Sequence, residues 1–149
     1  MASDFSNNFL IRDYRDSDYD ELVNFWDATE LGRPERGDNK ETIAETIRLG
    51  GALLIMEEKT TGKIAGTSWL TYDGRRVFLH HFGILPACQG RGLANALLAA
   101  SFGFVKKKGH QVKLEVHSSN FKAINLYRKY GFEPLIDYEV YILRDISKL

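Results

Sequence analysis

The sequence predicts an α+β (mixed α/β) protein with a mixed, mostly antiparallel central sheet of six to seven strands, flanked by about four helices. Two observations carry this prediction. Between residues 52 and 85 the apolar residues form strand-like runs separated by short turns, which is typical of antiparallel hairpins. A long amphipathic segment, residues 93–108, then lies between two strand-like runs, which indicates a helical crossover. The predicted element order is β-α-α-β-β-β-α-β-α-β-β, with helices on the faces of the sheet.

Length and composition restrict the class of protein. The chain has 149 residues, 20 Lys and Arg against 20 Asp and Glu, and one cysteine, Cys88. This length suits one domain, spanning residues 1–149. Zero net charge argues against a general binder of nucleic acids or anionic membranes. No apolar run approaches the roughly 20 residues of a membrane helix. A single cysteine excludes a metal site built from a cysteine cluster. We therefore expect a cytoplasmic protein that binds no nucleic acid, membrane or metal ion.

The first fifty residues predict one strand and two helices. Residues 9–14 are short and semi-alternating, which favours a strand. Ser17 offers an N-cap to a helix whose apolar stripe contains Leu22, Phe25 and Trp26. Asp38 can cap the second helix.

The middle of the chain predicts three strands and a long helix. The strand-like runs cover residues 52–58, 64–72 and 77–85, joined by turns that contain glycine. The helix over residues 93–108 has one apolar face, formed by Leu93, Leu97, Ala100 and Phe104.

The C-terminal part predicts a strand, a helix and two closing strands. Residues 112–116 alternate between apolar and polar side chains. Ser119 can cap the next helix, which Gly131 ends. Residues 132–144 are again strand-like, so we expect them to form a closing hairpin or pair.

The strongest local signal is the turn at residues 86–94, between the long strand and the long helix. Gly90 and Gly92 let the backbone approach a ligand closely, and the free N–H groups of a helix start attract a pyrophosphate. The structural alternative is a tight connection with glycines for packing. The segment is not a Walker loop, because the Gly-Lys-Ser/Thr ending is absent. It also fits a dinucleotide-binding fold poorly, because Asn95 occupies the position of the third glycine in that motif.

The spacing Gln89-x-x-Gly92-x-Ala94 resembles the Arg/Gln-x-x-Gly-x-Gly/Ala loop of the GNAT superfamily of N-acetyltransferases. A second block, residues 114–132, resembles the family's second motif, which is a strand, an Asn, an Ala-Ile-x-Leu-Tyr helix and a terminal Gly-Phe. The two motifs occur in the family's order and cover residues 77 to about 134, whereas the first fifty residues match mainly in element order.

The resemblance implies that acetyl-CoA is the cosubstrate, without a metal, and that an amine attacks it directly in a ternary complex. Main-chain groups near Ile84 would bind the pantetheine arm, and one backbone N–H can face the thioester oxygen. The family's tyrosine corresponds to Tyr127, which would protonate the departing thiolate. The residues implied to bind the cofactor are Ile84, Leu85, Gln89, Gly90, Arg91, Gly92, Leu93, Ala94, Asn95 and Asn120.

Several of these residues also have a purely structural interpretation. Tyr127 follows Ile124 by three positions and could be a core residue of its helix. Asn120 could serve as the N-cap of that helix, and Asn95 could complete the first turn of the long helix.

A base for the attacking amine is the least determined part of the site. His80 is the candidate we name, and His81, Glu115, His117 or an ordered water remain open. Strand alternation predicts His80 on the face of Phe78, Phe82 and Ile84, with His81 on the opposite face beside Val77 and Leu79. The two histidines are therefore not expected to form a metal pair.

Two other function classes remain open at this point. One is a catalytically silent CoA-binding module, and the other is a nucleotide-binding domain that uses the same turn. The resemblance does not specify the acceptor, which could be a protein N-terminus, a lysine or a small amine. The oligomeric state also remains open, with a homodimer as one option. Residues 1–60 hold 14 acidic and 7 basic side chains, which suits a cationic acceptor.

Overall fold

Five strands form one mixed sheet in residues 7–149, the part of the chain that the computed structural model describes. The strands are β1 Phe9–Asp13, β2 Ala52–Glu58, β3 Ile64–Tyr72, β4 Val77–Ile84 and β5 Val112–Leu114. They neighbour one another in the order β1-β2-β3-β4-β5. The first three pairs are antiparallel and β4 pairs with β5 in parallel, so the predicted α+β class and its mostly antiparallel sheet are confirmed.

Four α-helices accompany the strands in the described residues, as predicted. They are α1 Tyr19–Thr29, α2 Lys40–Arg48, α3 Leu93–Lys108 and α4 Phe121–Lys129. Short 3-10 turns lie at Asp16–Asp18, Pro34–Arg36, Pro86–Cys88 and Ile146–Lys148.

The predicted helix caps are wrong at three positions. Asn39 caps α2 by accepting from the Thr42 N–H at 2.9 Å, because the Asp38 carboxylate instead accepts from the Arg33 N–H at 2.8 Å. Asn120 caps α4, whereas the Ser119 hydroxyl pairs with His117 Nδ1 at 2.7 Å. Ser17 falls inside the 3-10 turn that precedes α1, and no side chain of the described residues caps that helix.

The predicted count of six to seven strands is wrong, since five are formed in residues 7–149. Residues 132–144, expected to close the sheet, contain no strand. Their apolar side chains are exposed, with Ile136 and Tyr141 each 85% exposed. Alternating apolar residues favour a strand only where a partner supplies backbone hydrogen bonds, and this segment has no such partner among the described residues.

The chain divides into two compact units, which are described separately. The first ends at Glu115 and contains the whole sheet with α1, α2 and α3. The second, Val116–Leu149, contains α4 and the irregular C-terminal segment. In this unit, Phe132 donates its N–H to the Tyr127 carbonyl at 3.0 Å, which closes the helix end at Gly131 as the sequence predicts.

Two apolar cores pack on opposite faces of the sheet in the first unit. On one face, α1 and α2 contribute buried residues including Trp26 and Ile43, which pack with Leu53, Ile55 and Trp69 of the sheet. On the other face, Leu93 and Leu97 of α3 pack with Phe9, Met56 and Ile84. The sheet therefore separates an α1–α2 face from an α3 face.

A β-bulge in β4 changes the direction of its side chains. Thr67 pairs with Gly83 and Trp69 pairs with His80, so that His81 and Phe82 together oppose the single residue Ser68. The bulge puts His80 and His81 on the α1–α2 face and Ile84 on the α3 face. The strict alternation predicted for this strand, with the two histidines on opposite faces, is therefore wrong.

Candidate active site

The turn between β4 and α3 begins with a 3-10 turn, Pro86–Cys88, and reaches the helix through Gly90 and Gly92. Both glycines have a left-handed backbone, with φ of 78° and 75°. A Cβ added to Gly90 would meet no heavy atom within 4 Å, and one added to Gly92 would meet only the Asn95 amide at 4.0 Å. The glycines are therefore required by backbone conformation and not by close packing.

The start of α3 offers backbone donors at this turn. Gly92 occupies the N-cap position, and no side chain of the described residues caps the helix there. The first N–H groups of an α-helix have no partner within the helix, and the helix dipole adds partial positive charge. Leu93, the first helical residue, is buried on the α3 face and anchors the helix start against the sheet. The arrangement suits an anionic group such as a pyrophosphate.

Polar side chains reinforce the shape of the turn. Gln89 donates from Nε2 to the main-chain oxygen of Ile84 at 3.1 Å, which ties the turn to the end of β4. The Arg91 guanidinium lies 5.0 Å from the centre of the Phe9 ring and remains exposed. Asn95 contacts the Gly92 carbonyl at 3.5 Å, and Ala94 is half-buried beside it.

The end of β4 is held by main-chain contacts. Leu85 donates its N–H to the Ala65 oxygen and accepts from the Cys88 N–H, each at 2.8 Å. The Ile84 side chain is buried in the α3 core, and its carbonyl accepts from Gln89. These hydrogen bonds fix the positions of the main-chain groups at Ile84 and Leu85.

His80 lies on the α1–α2 face and is exposed to solvent. Its Nε2 is 2.8 Å from the Thr71 hydroxyl, and its ring stacks on Phe78. Partial burial by surrounding atoms, with a smaller effect from the charge of His81, lowers the pKa of His80 from its ordinary value of 6.5, against an opposing effect from Glu115. A lowered pKa keeps this imidazole neutral, and hence able to accept a proton, at physiological pH.

His81 is held much more tightly than His80. Its ring makes edge contacts with Trp26 and Trp69, at centroid distances of 4.8 and 5.1 Å. Asp38 Oδ1 lies 3.0 Å from the buried Nε2. His81 also has φ of 45°, a left-handed backbone that costs a non-glycine residue about 1 to 3 kcal/mol. Because Nε2 faces Asp38 inside the protein, this nitrogen cannot approach an amine in solution.

In the second unit, Tyr127 of α4 is buried, with 7% of its surface exposed, and its ring contacts Phe132 edge-on at 5.6 Å. Burial raises the pKa of Tyr127 to about 12. The phenol is therefore protonated throughout the neutral range, as a proton donor must be. Asn120 uses its side-chain oxygen to accept from the Ala123 N–H at 3.2 Å, so its capping function is present in the structure.

The other candidates for a base are exposed. Glu115 ends the first unit, and His117 pairs with Ser119 in the second. Across residues 7–149, no three His, Cys, Asp or Glu side chains are grouped in a way that could hold a metal ion. None of the helices in that range has the length and apolarity to cross a membrane.

Comparison with known protein families shows which family the chain belongs to. The family model described as "Acetyltransferase (GNAT) family" matches residues 11–132. The chain belongs to the GNAT acetyltransferase family. The match extends across the glycine turn and the α4 block, and it also includes α1, α2 and the loop between them, where the sequence motifs are weakest.

Individual relatives agree with this assignment. The GNAT domain is 36% identical over 104 residues to a curated protein named mycothiol acetyltransferase from Clavibacter sepedonicus, covering 69% of this chain and 34% of that one. The chain thus spans about a third of the length of the curated relatives it matches.

Solved structures share the fold of this GNAT domain. An acetyltransferase from Streptococcus agalactiae superimposes with a TM-score of 0.78 at 19% identity, covering 93% of each chain. AAC(6')-Iy, solved in complex with the bisubstrate analog CoA-S-monomethyl-acetylneamine, superimposes with a TM-score of 0.67 at 19% identity, covering 92% of this chain and 97% of that one.

Sequence reasoning missed the contacts that three residues make around the bulge of the GNAT domain. Thr67 is fully buried and donates from its hydroxyl to the His81 carbonyl at 2.7 Å. Trp26 donates from Nε1 to the Thr67 hydroxyl at 3.1 Å, and Asp38 lies against His81. A polar Thr67 in the middle of an apolar strand was the one available signal, but its partners lie 14 and 41 residues away in the chain.

Proposed function

We propose that this GNAT domain is an acetyl-CoA-dependent N-acetyltransferase that transfers the acetyl group directly to an amine. The observation that carries the proposal is the turn from Gln89 to Asn95, whose left-handed glycines and uncapped helix start suit a pyrophosphate; we call this turn the cradle. The turn follows directly from the rigid end of β4, and it lies inside the segment that matches the family.

The proposed binding mode assigns separate parts of the cofactor to separate groups. The backbone from Gln89 to Asn95 binds the pyrophosphate, with Gly90, Gly92, Leu93 and Ala94 contributing main-chain atoms. Arg91, exposed beside the turn, adds positive charge near the phosphates. The end of β4 binds the pantetheine arm through the main chain of Ile84 and through the Leu85 carbonyl, which keeps a second lone pair for a ligand. Asn120 adds a contact from α4.

The proposed reaction is a single displacement. The amine nitrogen attacks the thioester carbonyl carbon, a C–N bond forms, and the C–S bond breaks. Tyr127 donates its phenolic proton to the departing thiolate. The phenol holds this proton at neutral pH because burial raises its pKa. His80 accepts the amine proton, which requires Nε2 to donate to Thr71 and the other ring nitrogen to carry the lone pair.

A comparison of ligands tests the proposal. Isothermal titration of the full chain with CoA, acetyl-CoA, ATP and NAD is expected to show binding of the first two only. CoA release is then measured at saturating acetyl-CoA with a panel of amines, from N-terminal peptides to polyamines. Release with at least one amine supports transfer. Binding without release from any amine would identify the silent CoA module, and binding of ATP or NAD alone would identify a nucleotide-binding domain.

A further inference from the structure

The peptide between His81 and Phe82 is fixed in an unusual orientation. His81 has a left-handed backbone at φ 45°, at the point where two residues of β4 oppose one of β3. Non-glycine residues keep such a conformation only where the surrounding structure holds them, and such positions concentrate at functional sites.

Two hydrogen bonds in series hold its carbonyl. The Thr67 hydroxyl donates to the His81 oxygen at 2.7 Å, and Trp26 Nε1 donates to the same hydroxyl at 3.1 Å. An indole nitrogen can only donate, so the hydroxyl proton of Thr67 is directed at the carbonyl. Thr67 and Trp26 are both fully buried, which shields this pair of hydrogen bonds from water.

The His81 side chain is restrained from the other direction. Its ring lies against Trp26 and Trp69, with Asp38 at 3.0 Å from Nε2. A Cβ at Gly32 would lie 2.4 Å from the same nitrogen, so the loop that contains Gly32 closes directly over the ring. Neither the ring nor the carbonyl of His81 can turn without breaking buried contacts.

The held peptide lies at the place where the acyl group is expected. A trans peptide directs its N–H away from its C=O, so fixing the carbonyl toward Thr67 fixes the Phe82 N–H on the opposite side. Ile84, which binds the arm in the proposed function, is two residues further along β4, about 7 Å away at strand spacing. The glycine turn, the arm-binding residues and the bulge therefore follow one another along the main chain. A cofactor whose pyrophosphate lies at the turn and whose pantetheine arm lies at Ile84 would place its thioester at the bulge.

We propose that Thr67 is a positioning residue, which acts through the His81 carbonyl to aim the Phe82 N–H at the thioester oxygen, and that it lets the site discriminate acetyl-CoA from CoA. This inference rests on the proposed function. CoA lacks the acetyl oxygen, so the N–H contact contributes to acetyl-CoA binding alone. Trp26 supports the same orientation by directing the Thr67 proton.

The test compares three variants of neighbouring residues. Thr67→Val keeps the side-chain shape and removes the hydroxyl, whereas Thr67→Ser keeps the hydroxyl. Ser68→Ala is the matched control, because Ser68 is equally buried, is adjacent in β3, and pairs instead with Ser101 on the α3 face at 2.7 Å. Calorimetry measures the Kd of acetyl-CoA and of CoA for each chain.

We expect Thr67→Val to raise the Kd of acetyl-CoA about fivefold relative to that of CoA, as the loss of one net hydrogen bond would. Thr67→Ser is expected to retain most of the wild-type ratio, and Ser68→Ala all of it. Equal changes in both Kd values, or no change in either, would overturn the role of Thr67. Failure of the wild-type chain to bind either ligand would instead overturn the proposed function.

A second measurement needs no variant. In an ¹⁵N-labelled wild-type chain, the Phe82 amide proton is expected to move downfield on addition of acetyl-CoA and to move much less with CoA. Identical shifts with both ligands would contradict the contact even if Thr67→Val does not fold.

Discussion

Gln89 Nε2 donates a hydrogen bond to the main-chain oxygen of Ile84 at 3.1 Å, and this contact joins the glycine turn to the end of β4. It links the residues that we assign to the pyrophosphate with those that we assign to the pantetheine arm. Gln89→Ala is expected to raise the Kd of CoA about fivefold, because the turn loses the restraint of one hydrogen bond. Gln111→Ala, which changes an exposed glutamine of the same unit, should leave the Kd unchanged. Equal Kd values for the two variants in calorimetry would contradict the linkage.

The backbone conformation at Gly90 is testable with a strain-matched pair of variants. Gly90 and Gly74 have φ of 78° and 88°, and a Cβ at either would meet nothing within 4 Å. Alanine at either position should therefore cost a similar free energy of unfolding, about 1 kcal/mol. Only Gly90→Ala is expected to weaken CoA binding, since Gly74 lies in the turn between β3 and β4. Urea denaturation and calorimetry separate the two effects, and parallel losses of affinity would argue against the cradle.

The high pKa of Tyr127 leads to a prediction about catalysis. Tyr127→Phe is expected to lower kcat by about 100-fold while leaving the Kd of acetyl-CoA near its wild-type value, since the phenol would act on the leaving thiolate. Because burial raises the pKa of Tyr127 to about 12, its deprotonation should not produce a fall in kcat between pH 7 and 10. Tyr130→Phe serves as the control from the end of the same helix. Unchanged turnover in Tyr127→Phe at saturating acetyl-CoA would remove Tyr127 from the mechanism.

The pH dependence of kcat tests His80 as the base. Burial lowers the pKa of His80 below 6.5, so kcat should rise with pH through an apparent pKa under that value and then level off. His80→Gln is expected to reduce kcat by about 100-fold and to abolish this acidic limb. An acidic limb that persists unchanged in the variant would assign the proton to water or to the acceptor amine itself.

A buried ion pair in the first unit predicts acid sensitivity. Arg12 binds both carboxylate oxygens of Asp18, at 2.7 and 2.8 Å, and donates to Glu57 at 2.6 Å. The hydrogen bonds from Arg12 hold the pKa of Asp18 below its ordinary value of 3.8. Its ionised form therefore stabilises the fold at pH values above 3.8, and this stabilisation is lost as the pH falls through the lowered pKa.

Removing that carboxylate should be costly even at neutral pH. Asp18→Asn is expected to lower the free energy of unfolding by about 3 kcal/mol, because the largely buried Arg12 would lose one of its two carboxylate partners and keep only Glu57. Asp137→Asn, at an exposed position of the C-terminal segment, should change it by less than about 0.5 kcal/mol. Urea unfolding at pH 7 measures the free energy of unfolding of both variants, and the same measurement at pH 3.5 follows the loss of the Asp18 contribution on acidification. Equal losses for the two variants at pH 7 would show that the Arg12–Asp18 pair contributes nothing specific to stability.

Local signals were sufficient for most of the secondary structure, although three of the predicted helix caps were wrong. The five strands of the sheet and four helices follow from apolar periodicity over windows of five to sixteen residues. The glycine turn could be predicted because left-handed backbone requires glycine at Gly90 and Gly92 whatever surrounds them. The spacing of Gln89, Gly92 and Ala94 and the block ending at Phe132 were enough to indicate the family.

The tertiary structure decided what depends on partners distant in the chain. Periodicity in residues 132–144 predicted strands, yet a strand needs a neighbouring strand for its backbone hydrogen bonds. Alternation separated His80 from His81, but pairing with β3 inserts a bulge that turns both to one face. Bulges arise from the register between two strands, which no single run of residues encodes.

The sequence by itself therefore determined the fold class, the family and the glycine turn, because helix and strand periods and glycine conformations are local properties of the chain. Only the tertiary structure brought Thr67, Trp26 and Asp38 to His81, since their positions are set by the sheet register and by the packing of α1 and its loop on the α1–α2 face. Local residue patterns specified the glycine turn and the helix that follows it, and long-range packing specified how the residues around the bulge are oriented.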